Sequence, residues 1–331
     1  MPKISILTPV YNAANYIGNA INSVLEQSFT DWEMLCVDDE STDNSLAILC
    51  EYQKKDKRIK VFSQKNTGPL GARRLAFEHS TGDYIIYLDA DDLFSRDLLQ
   101  CLYEREIESD ADAVAPDMIR RFPDKDDSWN KEKNVDIKEV LTGMQGFMET
   151  FPWRKLHNFN LWKRSVFEKS TYHPYLENNN FNADEILQRI LLLNCKKIVF
   201  SAGGAYIHTA NMESITHVLS KRSFNRLSAN DKLIQLGIDN NLSQSQMERI
   251  YGFALFCQLK GLVLDLYRSP KADIDNKWAF SLLKDAYYKY TSHKIINFYG
   301  TSIFDKIRVQ IQTINFNIFR LICFLQVKMK H

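Results

Sequence analysis

Over its first third the chain alternates short, nearly continuous apolar runs with segments of helical spacing. Lys3–Leu7, Glu33–Val37, Ile59–Phe62, Tyr84–Leu88 and Ala113–Ala115 read as strands, and their lack of polar alternation suits strands covered on both faces. Ile17, Ala20, Ile21, Val24 and Leu25 keep the spacing of one helical face. Ser41–Asp43 supplies N-cap residue types ahead of a second helix carrying Leu46, Leu49 and Tyr52. A third helix fits Leu70–His79, with Thr81-Gly82-Asp83 as its stop. This alternation predicts an α/β fold with a mostly parallel sheet, helices on both faces, and ligands at the carboxyl ends of the strands.

From about residue 117 to 215 the pattern loosens. Asp124–Lys133 reads as an exposed loop, Phe151–Phe167 as an aromatic and basic segment, and Asn178–Asn182 as an Asn-rich loop. A helix over Asp184–Leu193 and a strand over Lys197–Ser201 follow. Beyond about 216 the periodicity is helical only. The expected organisation is 1–115, 116–215 and 216–331, with no internal repeats.

Composition sharpens this picture in a few places. Of 331 residues 45% are hydrophobic, with 20 Phe and 15 Tyr, enough for a sizeable core. A net charge of +1 gives no reason to expect nucleic acid as a partner. The six cysteines lack CxxC spacing, which argues against zinc or a disulfide framework and fits a reducing compartment. The first residues read as a strand rather than a cleavable leader. No apolar stretch reaches the roughly 18–20 residues that span a bilayer. A cytoplasmic protein is expected, soluble or peripheral on the membrane.

The informative residues fall at predicted strand ends: Thr8-Pro9-Val10-Tyr11-Asn12, Asp38-Asp39-Glu40-Ser41-Thr42-Asp43 and Asp89-Ala90-Asp91-Asp92. In an open α/β sheet these ends share one crevice, so several carboxylates and an aromatic ring converge. Clustered carboxylates repel one another, and a hard divalent cation, Mg²⁺ or Mn²⁺, relieves that repulsion. Taken alone, Asp38–Asp43 is equally a turn and helix cap. Asp89–Asp92 does not open an EF-hand, because Phe94 and Gln100 occupy the positions that need Gly and Glu. No GxGxxG and no P-loop is present.

PVYNAANYIGNAINSVLEQSF, VDDESTDNS, NTGPLGARR and TGDYIIYLDADD, in this order, resemble the family 2 inverting glycosyltransferases of bacterial surface-polysaccharide type. The resemblance is dense over residues 2–115, weaker to about 215, and not evident beyond. It implies a GT-A, Rossmann-like fold followed by a helical C-terminal region, and transfer of a hexose or N-acetylhexosamine from a nucleotide-diphosphate sugar, a UDP-sugar above all. The acceptor is expected to be a saccharide hydroxyl, lipid-linked, in surface glycan assembly. It implies that Pro9 and Tyr11 border the base and that Asp39 accepts a hydrogen bond from it. Asp89 lies near the ribose and Asp91 on Mn²⁺ or Mg²⁺, with Asp92 able to share either role. Arg73 lies near the diphosphate, although Ala72-Arg73-Arg74-Leu75-Ala76 departs from the family's ARNxG; the competing reading of Arg73 and Arg74 is a solvated helix face.

The acceptor hydroxyl needs a carboxylate to take its proton. The resemblance assigns this to Asp184 of Asn182-Ala183-Asp184-Glu185, with Glu185 as fallback and Ala183 where the family often has Glu. The alternative is that both acids only favour a helix N-terminus. Phe151-Pro152-Trp153-Arg154-Lys155-Leu156 and Leu161-Trp162-Lys163-Arg164 resemble the stretch before the base, where rings and cations serve an acceptor sugar or phosphate, or else the tryptophans are core. His208 lines the site or is structural. No QxxRW is present, against a processive synthase.

Ile303, Ile307, Ile311, Ile314, Ile318, Leu321 and Leu325 form a helical stripe, with Lys306, Arg308, Arg320, Lys328 and Lys330 against Asp305 alone. Such a helix, 303–328, lies in a membrane interface or packs against the catalytic domain or a second subunit. Two rival functions stay open: a nucleotidyltransferase, and a non-catalytic membrane-associated scaffold that keeps the fold.

Overall fold

The computed structural model describes residues 2–121, 126–128, 135–151, 156–157, 159–177, 183–209, 219–269, 274–293, 295 and 309–329. The chain divides into two compact units, Met1–Asn179 with Ala183–Met212, and Asn180–Asn182 with Glu213–His331.

The first unit is built on one mixed sheet. Strands β1 (Ile4–Val10), β2 (Trp32–Asp38), β3 (Ile59–Ser63) and β4 (Tyr84–Tyr87) are mutually parallel, in the spatial order β3-β2-β1-β4. The residues of β1, β2 and β4 are almost all buried, as their unbroken apolar runs require, whereas β3 at the sheet edge buries only Ile59 fully. Helix α1 (Ile17–Leu25) buries Ile17, Ala20, Ile21 and Val24, the predicted face. Helix α2 (Ser45–Lys55) starts later than expected: Asn44 is its N-cap, without a side-chain cap bond, while Asp43 Oδ1 accepts from the Ser45 amide at 2.9 Å. Helix α3 (Gly68–His79) then leads to the Thr81-Gly82-Asp83 turn. Gly82 is there because a Cβ would lie 2.7 Å from the Ser5 amide nitrogen.

The sheet then departs from the parallel expectation. Two short strands, β5 (Leu93–Phe94) and β7 (Asp126–Ser128), flank helix α4 (Leu98–Ser109) and β6 (Ala113–Arg121) in sequence, and β7 pairs antiparallel with β6 inside the stretch expected to be a loop. Strand β8 (Val140–Leu141) precedes β9 (Leu161–Lys163), which lies antiparallel between β4 and β6. Strand β10 (Ile198–Thr209) runs parallel to β6. It continues past the predicted end at Ser201 through a register shift between Phe200 and Ala205, where Gly203-Gly204 reads in sequence as a strand terminator. This extension pairs Tyr206 with Phe94 and so lays the end of β10 along the segment that follows β4. All six cysteines are free thiols.

The second unit is helical among its described residues: α8 (Asn225–Asp239), α9 (Gln244–Arg268, with a π-helical stretch at Ala254–Leu259), α10 (Asn276–Thr291) and α11 (Phe316–Lys328). Helix α9 is long and apolar enough to cross a bilayer, although Glu248, Arg249, Lys260 and Asp265 break its apolar run in sequence. Of its most apolar window 72% is buried inside the fold, with Phe253, Leu255, Leu259 and Leu262 in the core, which is how a core helix behaves. Helix α11 buries Phe316, Phe319, Cys323 and Val327. Residues 303–308 of the predicted amphipathic helix and Lys330 beyond it lie outside the described residues, as do Asn178–Asn182 and Trp153-Arg154-Lys155.

Candidate active site

The ends of β1 and β2 are tied by side-chain caps. Asn12, with φ of 50°, donates its amide to Ser41 Oγ at 3.0 Å, and its Oδ1 accepts from the Thr42 amide at 2.8 Å. Asp43 Oδ2 accepts from the Ala14 amide at 3.0 Å. The turn-and-cap reading of this segment thus holds for Asp43, which accepts from amides on both sides of the junction. The register ends at Val10 with Asp38, so Tyr11, 46% exposed, and Asp39 are the next residues on the two chains, and Pro9 lies within the strand opposite Val37.

Asp39 is itself buried. Its Oδ1 accepts from the Thr67 amide at 2.9 Å and from Gln64 Nε2 at 2.7 Å, and its Oδ2 from the Gly68 amide at 2.8 Å. Gly68 has φ of 80°, a left-handed conformation that glycine adopts without a Cβ clash. A carboxylate offers about four lone-pair positions, so these three donors fix its orientation and leave about one position for a ligand N–H.

The segment after β4 separates its three acids. Asp92 turns inward and is buried, accepting from Tyr206 Oη at 2.7 Å and the Thr209 amide at 2.9 Å, with His208 Nδ1 at 3.1 Å. Burial pushes the Asp92 carboxyl up, while the bond from His208 opposes that. His208 rises in turn through its bond to Asp92 against the cost of burial, with Asp89 and Asp91 adding to the rise. His208 is thus anchored and still half exposed beside the carboxylates. Asp89 and Asp91 remain partly accessible, and the Asp89 amide donates to Tyr206 Oη at 3.1 Å.

Arg73 is no solvated helix residue. It is buried, its Nη2 donates to Asp89 Oδ1 at 2.6 Å, and its guanidinium lies 4.7 Å from the centroid of the Tyr87 ring. Burial acts to lower its pKa, but Asp89, Tyr87 and Asp184 together raise it above the usual arginine value. Arg74 is structural as well: its Nε donates to the Thr171 carbonyl at 3.0 Å.

Helix α7 (Ala183–Leu193) delivers Asp184 to this pair. Burial raises the Asp184 pKa, Arg73 lowers it, and Asp89 raises it again. Glu185 points elsewhere: its carboxylate is 3.6 Å from Arg189 of the same helix. Arg189 is fully buried, donates to Thr150 Oγ1 at 3.1 Å and to the Glu185 carbonyl at 3.1 Å, and lies over the Phe151 ring. Helices α6 (Arg164–Ser170) and α5 (Gly143–Glu149) pack against α7.

For Leu161-Trp162-Lys163-Arg164, of the two readings it is the core one that holds. Trp162 is fully buried in the sheet, opposite Ala113 and Ile85, and takes no part in sugar stacking. Lys163 pairs with Glu106 and Asp110. Arg164 holds the Gly82 carbonyl at 2.6 Å and Ser80 Oγ at 2.8 Å. The reading of a basic pair for an acceptor phosphate therefore fails here. Sequence reasoning also missed Tyr87, Tyr206, Gln64 and Arg189; of these only Arg189, a cation one turn from Glu185 on an apolar helix face, left a visible signal.

No group of three or more His, Cys, Asp or Glu is poised to hold a metal among the described residues. The donor set nonetheless suits a hard cation: such ions take one or two carboxylates together with substrate phosphates, and Asp91 and Asp89 are hard oxygen donors at the open strand end.

An open α/β sheet with capped loops and acids at its carboxyl ends places the candidate ligand site at those ends. The Glycosyl transferase family 2 model matches residues 5–176, and the chain belongs to that family. TuaG of Bacillus subtilis, a glycosyltransferase named for teichuronic acid biosynthesis, is 45% identical over 100 residues, 30% of this chain and 40% of that relative. The chain thus matches less than half the length of this relative. The Streptococcus pneumoniae glycosyltransferase GlyG is 26% identical over 230 residues, 64% of this chain and 72% of the relative. The Staphylococcus aureus TarS fragment 1–349, solved in complex with UDP, superposes with a TM-score of 0.62 at 17% identity, covering 99% of this chain and 92% of the other. The same fragment with UDP-GlcNAc gives a TM-score of 0.55 at 18% identity, covering 98% and 81%. The fold is GT-A-like.

Proposed function

We propose that this glycosyltransferase inverts the anomeric centre as it moves a hexose or N-acetylhexosamine from a UDP-sugar to a saccharide hydroxyl, on a lipid-linked acceptor of a surface glycan. The observation that carries the reading is the electrostatic coupling of half-buried Asp184, its pKa raised, to the Arg73–Asp89 pair. Two relatives supply its context: TuaG is named for teichuronic acid synthesis, and TarS has been solved with UDP and UDP-GlcNAc. In this reading residues 1–115 hold the donor and 116–215 face the acceptor.

Asp184 accepts the proton of the acceptor hydroxyl as its oxygen bonds to the anomeric carbon. The bond from that carbon to the diphosphate breaks on the opposite face, and its electron pair leaves with the nucleoside diphosphate. Asp39, oriented by Gln64, Thr67 and Gly68, accepts from the base, with Pro9 and Tyr11 flanking it. Asp89 serves the ribose and fixes Arg73. A bound Mn²⁺ or Mg²⁺, held by Asp91 with Asp89 beside it, would supply charge neutralisation for the leaving diphosphate. Asp92 is left out of that ligand set because His208, Tyr206 and Thr209 occupy it.

Calorimetric titration with UDP, GDP and CDP, with and without Mn²⁺, on wild type and Asp91→Asn tests the donor site. Metal-dependent UDP binding, lost in the variant, is expected. A folded protein that binds no nucleotide with metal present overturns the assignment and favours the scaffold reading.

A further inference from the structure

The second unit carries a groove of about 740 Å³ between α9, α10 and α11, lined by Tyr267, Phe280 and Phe324 with Lys277, Arg320 and Lys328. No carboxylate lines it. Arg320 is held in place: its guanidinium lies 3.7 Å from the Phe280 ring centroid, and its Nε donates to Tyr267 Oη at 3.2 Å. Stacking on Phe280 uses one face of the guanidinium and leaves its Nη groups for an anion. Lys328 sits 5.9 Å from the Phe324 centroid on the same helix.

Next to this groove, α11 shows a second apolar face. Phe316, Phe319, Cys323 and Val327 are committed to the core. Leu321 is 55% exposed, Leu325 49%, Met329 85% and Ile314, just before the helix, 61%. At 100° per residue, Leu321, Leu325 and Met329 fall on one side of the helix, next to the row of Arg320, Phe324 and Lys328. A helix in water gains nothing from such a row. At a bilayer, the row enters the acyl boundary while the adjoining cations meet phosphate headgroups and the aromatic rings sit at headgroup level.

We infer that this groove and the exposed face of α11 are a docking surface for an anionic phospholipid bilayer. Charge decides the occupant: three cations and no acid in the groove favour an anionic surface over a neutral one, and the exposed row favours a lipid over a soluble anion. The inference is independent of the donor site, and its test leaves nucleotide binding untouched.

The test is co-sedimentation of the full chain with phosphatidylglycerol-containing and with pure phosphatidylcholine vesicles. Partition to the anionic vesicles is expected, falling in high salt. Lys277→Ala and Lys328→Ala should each lower it roughly fivefold. Leu321→Glu with Leu325→Glu should lower it by about tenfold or more. Both leucines are about half exposed, so the double variant should keep wild-type helicity and thermal transition, which circular dichroism verifies. Wild-type protein that stays in solution with anionic vesicles overturns the inference, as does undiminished partition of the folded double variant. Saturable binding of a soluble anionic polysaccharide or inorganic phosphate without vesicle partition also overturns it and assigns the groove to a soluble anion.

Discussion

The guanidinium of Arg73 reaches across from α3 to bond Asp89 Oδ1 at 2.6 Å, joining the residue expected at the diphosphate to the first acid of the DxD triplet. The arginine side chain is 8% exposed and that of the aspartate 32%, so the pair is shielded on one side only. Removing the carboxylate strands a buried cation. Asp89→Asn should therefore cost about 1–3 kcal/mol of stability, below the ~3–5 kcal/mol of a fully buried pair because water reaches Asp89. Urea unfolding of wild type and variant measures this, and an unchanged midpoint would sink the structural role.

Asp184 is predicted to matter for turnover and not for donor binding. Asp184→Asn should lower transfer by about 10²–10⁴-fold and leave UDP affinity within roughly threefold. Glu185→Gln should act through its contact with Arg189 and lower thermal stability more than rate. A large rate loss confined to Glu185→Gln would reverse the assignment.

The same residue sets a pH dependence. Burial raises the Asp184 pKa above the ordinary aspartate value of 3.8, and the base works only when ionised. The acid limb of kcat/KM should therefore lie above the ordinary carboxylate range, with activity lost as pH falls through the raised value. A limb at or below about 4, where unperturbed Asp titrates, would contradict this.

Asp39 holds the Gln64–Gly68 turn through three donors. Asp39→Asn sets an NH₂ group against at least one of those N–H groups, so the turn must shift. UDP binding should weaken by about tenfold or more, with a smaller loss of stability. Calorimetry together with thermal melts separates the two effects, and full UDP affinity in the variant would remove Asp39 from the donor site.

His157 is buried, hydrogen-bonded to the Pro116 carbonyl at 2.9 Å, and its pKa is lowered by burial from 6.5 to about 4. The folded state prefers the neutral ring. Its contribution is thus fully present above about pH 6.5 and lost as pH falls towards 4, for a total of about 3 kcal/mol. Wild type should lose stability over that window more steeply than a folded His157→Gln variant; parallel curves would show that His157 is not responsible.

The chain itself made the parallel half of the sheet and the α1 face legible, because burial on both sides of a strand or one side of a helix leaves a local periodic record. Strand β9 and the second half of β10 escaped, the first because three residues carry no period and the second because Gly203-Gly204 imitates a stop. The basic stretch before the predicted base stayed open between two readings for a different reason: Lys163 and Arg164 find their partners in Glu106, Asp110, Ser80 and Gly82, all of them distant in sequence.

By itself the sequence determined that acids follow the ends of strands, and that one more acid opens a later helix, since the positions of strand ends and the phase of a helix follow from local pattern. Only the tertiary structure decided what each acid does. Asp92 is committed inward by Tyr206, 114 positions away, Asp39 is oriented by a turn on the next strand, and Asp184 is brought towards Arg73 and Asp89. The reason is physical: a carboxylate's role depends on which donors and charges surround it and on how far water is excluded, and those neighbours come from distant segments that no local period encodes.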